Sequence, residues 1–142
     1  KFFWTSNKWS KLILEAKHRT EVARISKVAL LSKLEPYWTS TFKHFPETMC
    51  RDQSKKERNM LGLANGMFHF VEISIRPFTQ ALWSVPDMAS ASYGTFYDLG
   101  SGSGRVAIAA ALVGNFKKVV GIEILSNLHQ ISEKAKEKYL EN

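Results

Sequence analysis

One stretch constrains this chain more than any other: Phe96-Tyr97-Asp98-Leu99-Gly100-Ser101-Gly102-Ser103-Gly104, an apolar strand ending in an acid and followed by three alternating glycines. Glycines at this spacing let the backbone take positive φ and approach a bound group that a Cβ would hold off. An apolar run from Arg105 to Val113 follows and reads as a helix whose unpaired N–H groups point back at the loop. A second short strand, Lys118-Val119-Val120-Gly121-Ile122-Glu123, ends in another acid. Strand, helix and strand in this order make a βαβ unit of an α/β sheet. Ligands of such sheets sit outside the carboxyl ends of the strands, so Asp98 and Glu123 are expected to face one crevice.

Spacing narrows the ligand. The dinucleotide fingerprint is G-x-G-x-x-G, with its third glycine packing helix on strand. Here the third glycine arrives one residue early and position 105 is arginine, which favours the methyltransferase form, acid-x-G-x-G-x-G, and S-adenosylmethionine as cofactor. Glu123 follows Gly100 at a distance close to the roughly 20 residues expected of a ribose-binding acid, a count that suits either cofactor.

Residues 96 to 124, FYDLGSGSGRVAIAAALVGNFKKVVGIEI, resemble the first βαβ unit of class I methyltransferases. More narrowly they resemble the histone lysine methyltransferases that lack a SET domain, the disruptor-of-telomeric-silencing type, in a diverged protist and algal branch. The resemblance implies Asp98, Gly100, Ser101, Gly102 and Gly104 around the methionyl part of the cofactor and Glu123 on its ribose hydroxyls. Ser92-Tyr93-Gly94 resembles the T-Y-G-E loop that closes over the cofactor in these enzymes, with Thr95 where the family has glutamate, so Tyr93 and Gly94 join the implied contacts. It also implies a protein lysine, of histone type, as methyl acceptor, and a nuclear location. No catalytic residue can be named from the motifs.

The expected fold is therefore α/β: an α-helical N-terminal region over residues 1–95, then a Rossmann-like class I methyltransferase unit over 96–142. That unit reads as truncated, because two parallel strands cannot bury both faces of a sheet. The start on Lys1, the end inside an amphipathic stretch from Asn127 to Leu140, and the closeness of Gly94 to Phe96 point to a portion of a longer protein with a segment omitted near 93–96. The alternative function is a non-catalytic subunit of a large assembly that keeps a methyltransferase-derived fold.

The N-terminal region reads as two helices. Trp9, Leu12, Ile13, Ala16, Ala23, Val28 and Leu31 recur at helical spacing from about Asn7 to Leu34, with Ser6 and Asn7 as N-caps and Pro36 as terminator. Residues 36 to 53 read as a loop. A second helix is expected from Ser54 to Ser84, with a stripe through Met60, Met67, Phe68, Val71, Ile75 and Leu82, weakened at Gly62 and Gly66 and bent at Pro77.

Composition sets the outer bounds. Hydrophobic content of 44% and aromatic content of 12% belong to a folded domain rather than a disordered one. No apolar run reaches the roughly 18 to 20 residues of a membrane span, so no membrane partner is expected and the location is taken as intracellular. Cys50 stands alone, which excludes an internal disulfide and a cysteine zinc site. The four histidines show no metal spacing. The net charge of +7 lies wholly in residues 1–60, which hold 13 Lys and Arg against 6 Asp and Glu. A basic segment of this kind suits a polyanion such as nucleic acid or a nucleosome.

Overall fold

The computed structural model describes residues 2–4, 22–63, 69–85 and 93–141. In chain order they form β1 (Phe2–Trp4), α1 (Val22–Phe42), α2 (Glu47–Met60), α3 (Ile75–Ser84), β2 (Tyr93–Leu99), α4 (Arg105–Val113), β3 (Phe116–Ile122) and α5 (Ser126–Glu141). Among these, no helix is long and apolar enough to cross a membrane.

β2 and β3 pair in parallel, from Tyr93 opposite Phe116 to Leu99 opposite Ile122. Parallel strands need a crossover connection, and α4 supplies it. Every residue of α4 from Ala107 to Val113 is buried, so this helix is apolar all round and is packed between the strands and the helices α1 and α3. β1 adds a third strand antiparallel to β3, with Phe3 opposite Val120, so the sheet order is β1-β3-β2. The βαβ unit and the final helix thus lie where the sequence puts them, to within a few residues.

The N-terminal helices differ from expectation in instructive ways. α1 does not stop at Pro36; it continues to Phe42, because the turns beyond the proline bury Trp38, Thr41 and Phe42. The lost N–H of Pro36 costs one helical bond, and the Trp38–Phe42 contact, with ring centroids 5.1 Å apart, helps offset it. The expected loop over 36–53 is therefore mostly helix, interrupted only between Phe42 and Glu47. The expected 54–84 helix is two helices. α2 ends at Met60 in a Schellman closure, in which Leu63 N–H donates to Arg58 O at 2.8 Å and Gly62 N–H to Asn59 O at 3.3 Å, with Gly62 at φ +68°. Pro77 bends nothing. It lies in the first turn of α3, after the cap position Ser74, where a missing N–H leaves no bond unmade. Met60 and Val71 are exposed rather than core. The caps Ser6 and Asn7, most of the first apolar stripe, Gly66, Met67 and Phe68 lie outside the described residues.

α2 and α5 are joined by a carboxylate. Glu57, buried on α2, accepts from the Ser126 N–H and Oγ–H, each at 2.7 Å, and from the Asn127 N–H at 2.8 Å, which satisfies orphan donors of the first turn of α5. Burial on its own would raise its pKa, but the Ser126 hydroxyl and the two backbone N–H groups prevail and hold it below the usual carboxylate value. A depressed acid stabilises the fold above its unfolded pKa and loses that contribution as pH falls through the folded one. Glu57→Ala is expected to cost about 1–3 kcal/mol near neutrality. In urea titrations the gap from the parent protein should narrow once the pH drops below 4.5.

Candidate functional site

The carboxyl ends of β2 and β3 carry the features that the sequence singles out. Beyond Leu99 the chain turns through Gly100, Gly102 and Gly104, at φ of +79°, +53° and +86°. The turn is tied across to β3: the Gly100 and Ser101 N–H groups both donate to Ile122 O, at 2.8 and 3.0 Å. Glu123 holds it from the next position, accepting the Gly102 N–H at 2.7 Å on one oxygen and the Leu125 N–H at 2.8 Å on the other. Each of these oxygens keeps a further lone pair.

Asp98 stands behind the loop. Burial pushes its pKa up to about 6; the Ala107 N–H of the first turn of α4 works against the rise and the charge of Glu123 adds to it. Its Oδ2 is buried without a hydrogen-bond partner, and so is Ser101 Oγ. Two unpartnered polar atoms beside one glycine loop, a carboxylate oxygen and a hydroxyl, are uncommon in a packed structure, where buried polar atoms are nearly always paired.

A cavity of about 450 Å³ opens in front, walled by Gly100, Gly102 and Glu123 on one side and by His69, Phe70 and Val71 on the other. No atom lies within 4 Å of the place a Cβ would take on Gly100, so its backbone stands open to a bound group. The structure thus puts Gly100, Gly102 and Glu123 in the wall of one crevice, while Asp98 and Ser101 stand in the strand and loop behind it. Gly104 is not in the wall. It packs on α5, where a Cβ would come within 3.1 Å of Ser132 Cβ. Tyr93 and Gly94 do not form a loop over the crevice; they open β2, six residues and about 20 Å from its carboxyl end.

A cluster that the motifs do not reveal closes the far side of the loop. Glu72 accepts the Ser103 hydroxyl on Oε1 and the Arg105 Nε–H on Oε2 at 2.5 Å. Arg105 also donates to Phe45 O at 2.8 Å and lies over the rings of Phe42 and Trp38, 4.5 and 5.1 Å from their centroids. The one available signal is composition: Glu72 is a lone acid in the apolar run Phe70-Val71-Glu72-Ile73, and a buried acid needs a partner. Beside this cluster the Cys50 thiol is fully buried, and burial together with the charge of Glu72 pushes its pKa up to about 11, far from a reactive thiolate.

Parallel strands, a helix crossover, a positive-φ glycine loop and an acid-tipped neighbouring strand define an α/β protein with its crevice at the carboxyl ends of the strands. Residues 72–142, half the chain, match the family described as Histone methylation protein DOT1, and the chain belongs to that family of methyltransferases. No curated protein matches the chain, and no solved structure does.

The raised pKa of Asp98 makes a prediction about the protein alone. An acid with a folded pKa of about 6 against 3.8 stabilises the fold fully below 3.8 and loses that contribution as pH rises through 6. The loss amounts to at most about 3 kcal/mol. Asp98→Asn should remove this slope and leave the protein more stable than the parent at pH above about 6, read as a rise in thermal midpoint that disappears in acid.

Proposed function

We propose that this chain carries the cofactor-binding core of an S-adenosylmethionine-dependent methyltransferase acting on a protein lysine of histone type. What supports the reading most directly is the crevice itself: a glycine loop and two carboxylates, one with an unpartnered oxygen, within the stretch that matches the family. When bound, the cofactor supplies a methyl group made electrophilic by its sulfonium charge. Gly100 would let the backbone lie against the cofactor, the remaining lone pairs of Glu123 would accept from its ribose hydroxyls, and Asp98 would supply the negative charge that a cationic ligand needs. The chain's work is alignment and exclusion of water, which suffices for a displacement at an activated methyl. Gly104 acts by close packing, and Tyr93 and Gly94 open β2 at the end away from the glycine loop.

Calorimetry with S-adenosylmethionine tests the site. Asp98→Ala and Glu123→Ala are each expected to abolish measurable binding, and unchanged affinity in both would overturn the assignment. The sign with pH follows from Asp98: the carboxylate fraction grows as pH rises through about 6, so affinity for the cationic cofactor should grow with it and level off at neutrality.

The family reading extends to a nucleosomal substrate and a nuclear location, and the basic N-terminal region suits that substrate. On α1, α2 and the turn between them the side chains of Lys33, Lys43, Lys55 and Lys56 are exposed. If they meet phosphates, affinity for duplex DNA must fall steeply between about 50 and 200 mM salt. A flat response in a fluorescence anisotropy titration would remove polyanion binding from the reading.

A further inference from the structure

The glycine loop is held from two sides by two carboxylates, and the resemblance accounts for only one of them. Glu123 grips it through the Gly102 N–H. On the other side, residues 69–74 run without helix or strand structure across the loop before α3 begins. A Cβ on Gly102 would lie 3.7 Å from the Phe70 ring and 3.9 Å from Glu72 Oε1, so this segment rests on the loop itself. Glu72 fastens it there, with one oxygen on the Ser103 hydroxyl and the other on Arg105. Both charges are nearly enclosed, with 6% and 12% of the side chains exposed.

We propose that Glu72 is a positioning residue of the cofactor site, which locks the His69–Val71 wall onto the glycine loop through Ser103 and Arg105. The proposal rests on the cofactor reading above and adds to it the device that sets the width of the crevice. Three observations converge on it. Gly102 and Ser103 are adjacent, so Glu123 and Glu72 pin neighbouring residues from opposite sides and fix the loop between them. Phe70 and Val71, two and one residues before Glu72, are themselves cavity wall, so a slackened Glu72 frees the wall as well as the loop. Arg105 passes the anchorage on to α1, since its guanidinium is seated on Phe42 and Trp38 and the Trp38 Nε1–H donates back to Arg105 O at 3.2 Å. Residues behind a binding site that hold its first layer in place contribute to affinity without touching the ligand.

The test separates positioning from simple stability. S-adenosylhomocysteine is titrated calorimetrically into the parent protein, Glu72→Gln, Ser103→Ala and Thr79→Val, and the unfolding midpoint of each is measured without ligand. Thr79 is a buried hydroxyl on α3 bonded to Ile75 O at 2.6 Å, outside the crevice, so its replacement costs stability only. Glu72→Gln retains an acceptor and the side-chain shape, while Ser103→Ala cuts the tie to the loop and leaves the ion pair intact. Both are expected to weaken binding by about tenfold, the scale on which supporting groups act, while Thr79→Val lowers the midpoint and binds as the parent does. Affinities of Glu72→Gln and Ser103→Ala within twofold of the parent, or an equal loss in Thr79→Val, would overturn the positioning role and leave the cofactor reading standing. A parent protein that does not bind at all would overturn both.

Discussion

Two parallel strands cannot be joined by a tight turn, and this constraint orders everything else in the described structure. The chain that leaves β2 at Leu99 has to rise off the sheet, cross through α4 and re-enter at Phe116. There is little room for the crossing, since α4 is wedged between the strands and α1 and α3. Its alanines at 107, 109, 110 and 111 are the consequence, all of them fully buried. The glycines at its ends answer the same demand. Gly104 lets the start of α4 approach α5, and at Gly114 a Cβ would sit 2.3 Å from the Phe116 ring and 2.6 Å from Ala110 O, so no side chain fits. A crevice at the strand ends is a by-product of a turn that must be made from small residues.

Acids gather at that same end of a chain that is basic as a whole. Asp98 meets the first turn of α4 through Ala107, Glu57 meets the first turn of α5, and Glu123 takes N–H groups from both connecting loops. The N-terminal ends of α4 and α5 both open here, and aligned peptide dipoles favour negative charge at such ends. Glu57 has all the donors it needs, so its pKa falls. Asp98 has the Ala107 N–H, but burial outweighs it and, with the charge of Glu123, raises its pKa. The two acids under similar helix ends thus differ in their partners, and the one that keeps an unpartnered oxygen is next to the glycine loop.

The parts of the fold legible in the sequence are those fixed by local chemistry. Alternating glycines after an apolar strand, the apolar run of α4 beyond Arg105 and the amphipathic α5 each announce themselves over fewer than twenty residues. Where sequence and structure part, the prolines and glycines take their meaning from tertiary setting. Pro36 is carried inside α1 because Trp38 and Phe42 beyond it are buried, and Pro77 is harmless because a helix starts just before it. Gly62, read as a weak point within a long helix, is the residue that ends one, in the left-handed geometry a C-terminal glycine serves. The likeness at Tyr93 and Gly94 rests on three letters, and both residues belong to β2, where Tyr93 pairs with Phe116. Glu72 was invisible for a different reason: its partners are 31 and 33 residues away, and no spacing rule encodes them.

Strand parity connects the core to the crevice. Along β2 the exposed Tyr97 and Leu99 alternate with Phe96 and Asp98, which are turned inward. A slip of one residue would send Asp98 to the outer face and bring Leu99 against the first turn of α4. Phe96 guards against that slip. Its ring lies 5.0 Å from Phe116 of β3 and 6.0 Å, edge-on, from Phe78 of α3, contacts that no other residue of β2 can reproduce after a shift, since Tyr97 would have to bury its hydroxyl to do so. The aromatic cluster in the core, outside the crevice wall, thus decides which side chain of β2 stands under the glycine loop, and the acid is there because the phenylalanine two residues earlier cannot be anywhere else.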